Sequence, residues 1–212
     1  DDLICGSLEY GLAYPIDSPY FPYREELAAQ LSYFINNQMY VGMHYYTSAY
    51  SSAEREAYEL QAHLDALESY GVPTDRIGAT QHTWFTSSLS PSQSFLSQWE
   101  AGLLWNTGYA APNDPYPYPQ NNAHSVISMP FFVTRNGERT ILLQNCASLL
   151  YAEESWPDMS ARYGMPMCVY YHCDFTAEDS AASEDKIRQV QAFREKYGYN
   201  FVMENQLASA VA

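Results

Sequence analysis

Short apolar runs alternate with longer segments of helical period along this chain, and that alternation narrows the folds open to it more than any other feature. Leu3 to Leu8 has the make-up of a short buried strand. A Pro- and Tyr-rich loop runs from Tyr14 to Pro22. After it Leu27, Leu31 and Phe34 recur at helical spacing, with Glu25 and Glu26 in the first turn, where the helix dipole favours acids. Met39 to Tyr46 reads as a second strand. Ser51 or Ser52 then caps a helix with Ala57, Leu60, Leu64 and Leu67 on one face, which Gly71 and Pro73 end. Arg76 to Phe85 is a third strand, and Ser90-Pro91 opens a helix whose stripe is Phe95, Trp99 and Leu103.

The second half continues the pattern with one interruption. Tyr109 to Asn122 carries Pro112, Pro115, Pro117 and Pro119 among Tyr and Asn, so it is neither a helix nor a central strand. A long surface loop of this kind usually serves a site. Val126 to Val133 and Thr140 to Leu143 are strands joined at Asn136-Gly137, a strong hairpin signal. A short helix over Ser155 to Tyr163 and a buried strand over Met167 to His172 follow. Ser183 caps a long helix with Ile187, Val190, Phe193 and Tyr197 facing inward, closed by Gly198. Phe201 to Met203 is a last short strand, with a small helix after Asn205. Strand and helix in repeated turn predict an α/β fold with mainly parallel strands and right-handed crossovers. A distorted or partial (β/α) barrel and an open doubly wound sheet both satisfy the pattern. No Gly-rich phosphate loop follows any strand, which argues against a nucleotide-binding open sheet.

Composition excludes several functions. The 212 residues suit one domain over 1–212, or a piece of a longer chain, and 47% hydrophobic content supplies a core. The formal charge of −15 repels phosphate backbones, so nucleic acid is not an expected partner. No apolar run is long enough for a transmembrane segment. The 20 Tyr and few Lys suit a carbohydrate environment, at the cell envelope or secreted outside it. Cys5, Cys146, Cys168 and Cys173 match no zinc or redox spacing and read as buried thiols.

Three histidines follow strands, where parallel α/β folds gather their sites: His44, His82 and His172. Imidazole binds metals and moves protons near neutral pH. The competing reading of each is a packed, hydrogen-bonded residue. Asp174 lies close enough to His172 in the chain to orient it, or it is a plain turn carboxylate. His124 can reach the same cleft, Glu9 is a further acid after the first strand, and His63 sits inside a helix. Tyr45, Tyr46, Trp84, Tyr116 and Tyr118 are candidates for stacking on a sugar, against the alternative of covering strand ends. No Gly-x-Ser-x-Gly elbow occurs.

Several of these segments, in order, resemble the polysaccharide deacetylase family. Val41-Gly42-Met43-His44 followed by a polar turn and a helix ending in Tyr70-Gly71-Val72-Pro73 is similar to the family's Gly-x-His segment. Met165 to His172 resembles its last motif, in which a strand delivers a catalytic His, and Lys186 to Ala212 resembles its closing helix, strand and helix. The departures are specific. Ser48 stands where the second metal His belongs, Gln81-His82-Thr83-Trp84 replaces an Arg-Pro-Pro type motif, and the Asp pair after a first strand is missing, since Asp1-Asp2 precede it. The resemblance implies a distorted barrel acting on a polysaccharide or oligosaccharide. It also implies His172 in catalysis and His44 on a divalent metal such as zinc, weakly held because a serine hydroxyl is a poor zinc ligand. From their own positions, Asp174 is the candidate to act with His172 and His82 the candidate replacement metal ligand.

The leading expectation is a hydrolase that removes acetyl groups from a glycan. The alternatives are a glycan-binding barrel without activity and a glycosidase, for which Glu9 and Asp174 are the carboxylate pair to test.

Overall fold

The computed structural model describes residues 19–45, 52–81, 91–107, 129–144, 146–148, 155–170 and 177–211. They form a mixed α/β structure with six helices, a mostly parallel five-stranded sheet and a two-stranded parallel sheet. In chain order the elements are α1 (Arg24–Asn36), β1 (Met43–Tyr45), α2 (Ala53–Ser69), β2 (Gly78–Gln81), α3 (Pro91–Glu100) and β3 (Trp105–Asn106). Then come β4 (Phe131–Arg135), β5 (Glu138–Leu143), β6 (Cys146–Ser148), α4 (Ser155–Tyr163), β7 (Cys168–Tyr170), α5 (Ala177–Tyr197) and α6 (Glu204–Val211).

The large sheet runs β1-β2-β3-β5-β4. The first four strands in that order are parallel, and β4 returns antiparallel to β5. The reversal comes from Asn136 and Gly137, both in the left-handed region at φ 53° and 83°, the two-residue turn whose twist matches a hairpin. β6 and β7 pair in parallel, with Cys146 opposite Cys168. Only Gln144 and Asn145 separate β5 from β6.

Register divides the large sheet into two faces. Met43, Ala79, Asn106 and Leu143 lie side by side on one, and Gly78, Trp105 and Leu142 on the other. The first face carries the main core, where α2 brings Leu60, Leu64 and Leu67 against Met43, Tyr45, Ala79 and Ile141. Burying each such leucine contributes about 1.5–3 kcal/mol. Ser52 fixes the start of α2, its Oγ accepting the Arg55 N–H at 3.1 Å. Gly71 at φ 77° ends it, and Val72 N–H closes back on Leu67 O at 3.0 Å. On the second face Trp105 and Leu142 meet Ala208 of α6. The Trp105 ring lies directly on the bare Cα of Gly78, where an added Cβ would overlap the indole.

Several sequence expectations need correction. α5 begins at Ala177, so Ser183 lies within the helix and does not cap it. Ile187 does not face inward and is 57% exposed. Phe201 to Met203 is not a strand, because Met203 N–H donates to Gln206 Oε1 and the Met203 carbonyl accepts from Gln206 and Leu207. The segment caps α6 instead of pairing. β3 and β6 were not expected, since two and three residues are too short to show a period. Leu3 to Leu8 and the loop Tyr109 to Asn122 lie outside the described residues.

Candidate functional site

The parallel strands β1, β2, β3 and β5 end on Tyr45, Gln81, Asn106 and, one residue past β5, Gln144. The carboxyl ends of the strands are the place where a parallel α/β sheet offers a site, and Tyr45, Asn106 and Gln144 are buried there. Behind these ends, on the α2–α3 face, lies a buried polar network. Gln98 Nε2 donates to Tyr45 Oη at 2.6 Å, and Asn106 Nδ2 donates to Gln98 Oε1 at 3.0 Å. Tyr45 in turn donates to Glu56 Oε1 at 3.4 Å. Three elements, β1, α2 and α3, are thus tied to the end of β3.

Glu56 is fully buried. Burial holds its carboxyl above the usual range, and hydrogen bonds from Ser94, Ser97 and Tyr45 oppose that rise. The second oxygen, Oε2, has no hydrogen-bond partner among the described residues. His63 sits two turns along α2, edge-on to Tyr45 with ring centroids 6.3 Å apart. Its Nδ1 lies 2.8 Å from the Glu59 carbonyl, which can only accept, so Nδ1 carries the proton. Burial lowers the pKa of His63, because protonating Nε2 would put a second N–H into a dry core; the Glu59 carbonyl and charge oppose this. Glu59 itself pairs with Arg55 one turn back.

His44 is the second residue of β1, half-buried, in register with Thr80. Alternation along β1 turns it away from the α2–α3 core that holds Met43 and Tyr45, toward the face that carries Trp105. It therefore lies near the strand ends but across the sheet from the Glu56 network. Tyr45 is corrected as a sugar platform: it is 0% exposed, and a ring with no accessible face is a core residue here. His63 is buried, in keeping with its position inside a helix. His82, His172, Asp174, Tyr46, Trp84, Tyr116 and Tyr118 lie outside the described residues, as do Glu9, Ser48 and His124. Among the described residues no three His, Cys, Asp or Glu side chains converge to hold a metal. His44 is the one residue of the expected metal pair placed here, and the described groups by themselves do not make a metal site.

The network of Glu56, Gln98 and Asn106 was not anticipated from the sequence. A signal for it was present: Glu56 and His63 fall on the same helical stripe as Leu60, Leu64 and Leu67, so they had to be buried with it. No family model, curated protein or solved structure matches the chain. Among the described residues no helix is long and apolar enough to cross a membrane.

Proposed function

We propose that this chain is a carbohydrate-active hydrolase domain that binds a glycan across the carboxyl ends of β1, β2, β3 and β5 and removes acetyl groups from it. The observation that supports the reading best is the position of His44, half-buried near the carboxyl end of a parallel strand. In the same reading the two sheets are arcs of one distorted barrel. The near-direct passage from β5 to β6 and the mostly parallel pairing of the strands support it. His172, delivered by the strand that contains β7 and oriented by Asp174, would supply the proton transfer, and His44 would line the same pocket. Tyr46, Trp84, Tyr116 and Tyr118 would supply the sugar contacts.

The test is acetate release from acetylated xylo-oligosaccharides and N-acetylchito-oligosaccharides. Acetate should appear with the wild-type chain and fall by about 100-fold or more in His44→Ala and in His172→Ala, the scale of losing a proton-transfer group. Glycan binding with no acetate would replace the reading with a binding module. New reducing ends without acetate would replace it with a glycosidase. Neither binding nor turnover would end the carbohydrate assignment.

A further inference from the structure

A cavity lies apart from the strand ends, around the residues that lead into β7. It has a volume of about 160 Å³. Val190 and Phe193 of α5, Phe201 of the α5–α6 connection and Leu207 of α6 give it an apolar wall. Phe201 and Val202 are 54% and 57% exposed and mark its mouth. Cys168 and Glu204 line it on the side toward the large sheet. The Cys168 thiol donates to Glu204 Oε1 at 3.7 Å, the long distance expected of sulfur. No Lys or Arg lines the chamber.

That makes an unusual combination. A cavity of roughly 150 Å³ with apolar walls is large enough for a benzene ring. This one also contains a carboxyl group without a counter-cation among its lining residues. Burial has pushed that carboxyl up from its usual range, and the Cys168 thiol and Trp105 indole only partly offset the push. A cationic ligand would supply the missing charge. The aromatic rings of Phe193, Tyr199 and Phe201 line the same space and suit an ammonium group. The Phe201 ring already attracts one cation, with the Arg194 guanidinium 5.8 Å from its centroid. A net charge of −15 favours the approach of cations over anions.

We propose that this chamber binds a small organic ammonium ion: a primary amine, protonated in solution, on an apolar body about the size of one aromatic ring. The ring occupies the wall formed by Val190, Phe193 and Leu207, and the ammonium donates to Glu204. The site is independent of the glycan reading, because it shares no residue with the strand-end rim.

The test uses the full chain with benzylammonium and its neutral isostere benzyl alcohol, measured by calorimetry and by methyl NMR shifts. Benzylammonium should bind at one site about tenfold or more tightly than benzyl alcohol, the scale of a charge-assisted hydrogen bond. The shifts should centre on the Val190 and Leu207 methyl groups. Glu204→Gln should remove the preference for the cation while weak binding of both compounds persists. If Glu204→Gln does not fold, Val202→Trp at the exposed mouth serves instead and should block both ligands. Equal binding of the two compounds, an unchanged preference in Glu204→Gln, unimpaired binding in Val202→Trp, shifts centred elsewhere, or no binding to the wild-type protein at millimolar concentration would each overturn the proposal.

Discussion

The two longest helices among the described residues, α2 and α5, both repeat apolar residues at helical spacing, α2 much more strongly than α5, and they end up in different environments. α2 has 17 residues and buries seven of them: Glu56, Glu59, Leu60, His63, Leu64, Ala66 and Leu67. α5 has 21 residues, and over 181–197, where burial is described, none is fully buried. α2 lies on a sheet, so everything on its stripe is covered, acids and imidazole included. α5 reaches α4 through surface pairs such as Lys196 with Asp158, and beside it Tyr199 Oη donates to the Pro157 carbonyl at 2.7 Å. Its own stripe, Val190 and Phe193, faces the chamber next to Glu204. Helical period therefore states which side of a helix turns inward, and the non-local surface opposite it decides how far that side is buried.

The sharpest way to break this comparison is to cut the same kind of group from each helix. Leu67→Ala should cost about 2–5 kcal/mol, because Leu67 is wholly enclosed and its removal leaves a cavity in a packed core. Val190→Ala in α5 should cost about 1 kcal/mol or less, since the space beside it already exists. Urea midpoints at constant m-value give both numbers. Equal losses would mean that α5 is as firmly anchored as α2.

A smaller effect, carried by buried groups of α2 alone, depends on pH. Burial raises the pKa of Glu56, so the folded state holds that proton more tightly than the unfolded chain, where a glutamate ionises near about 4.3. Between the two pKa values the folded protein carries the extra proton. Its stabilisation is full below the unfolded pKa and is lost as pH rises through the folded one. His63 acts with the opposite sign. Its pKa is lowered, so its stabilisation is present above the unfolded value of about 6.5 and is lost as pH falls toward the folded value. The two trends overlap in the wild-type chain. Glu56→Gln keeps the shape and removes one of them, so unfolding free energy measured from about pH 4 to about pH 8 should lose the decline that Glu56 imposes. A variant with the same pH profile as wild type would show that Glu56 is not held protonated by the core.

What could be read from the sequence follows the same division. The position and capping of α2, the limits of α4 and the turn at Asn136-Gly137 were legible because each depends on residues within a few positions of one another. β3 was not legible, because Trp105 and Asn106 become a strand only when Gly78, Ala79, Leu142 and Leu143 flank them. The candidate site divides similarly. His44 near the end of a strand was legible from local pattern, and its side of the sheet follows from alternation. The contact of Tyr45 with Gln98, 53 positions away, was not, and it turned an expected surface aromatic into part of the core. The start of α5 was misread because serine at position 183 satisfies a local capping rule that six further helix-compatible residues upstream override.

The smallest expected effect is also the most direct check on how α5 is placed. Ile187 occupies the first position of the apolar stripe that continues through Val190 and Phe193, yet it is 57% exposed, whereas Val190 and Phe193 are half-buried. If the α5 surface ends where the structure puts it, Ile187→Ser trades one solvent-exposed side chain for another. The loss of intrinsic helix propensity from such a change is a few tenths of a kcal/mol. The whole substitution should then stay within about 0.5 kcal/mol of wild type in urea unfolding. It should leave the oligomeric state unchanged in sedimentation. A loss of about 1.5–3 kcal/mol is what removing a fully buried isoleucine would produce. That result would mean Ile187 is covered in solution and that the inward stripe of α5 begins a full turn earlier than the burial of Val190 and Phe193 indicates. A change in sedimentation without a loss of stability would instead assign the covering surface to a second copy of the chain.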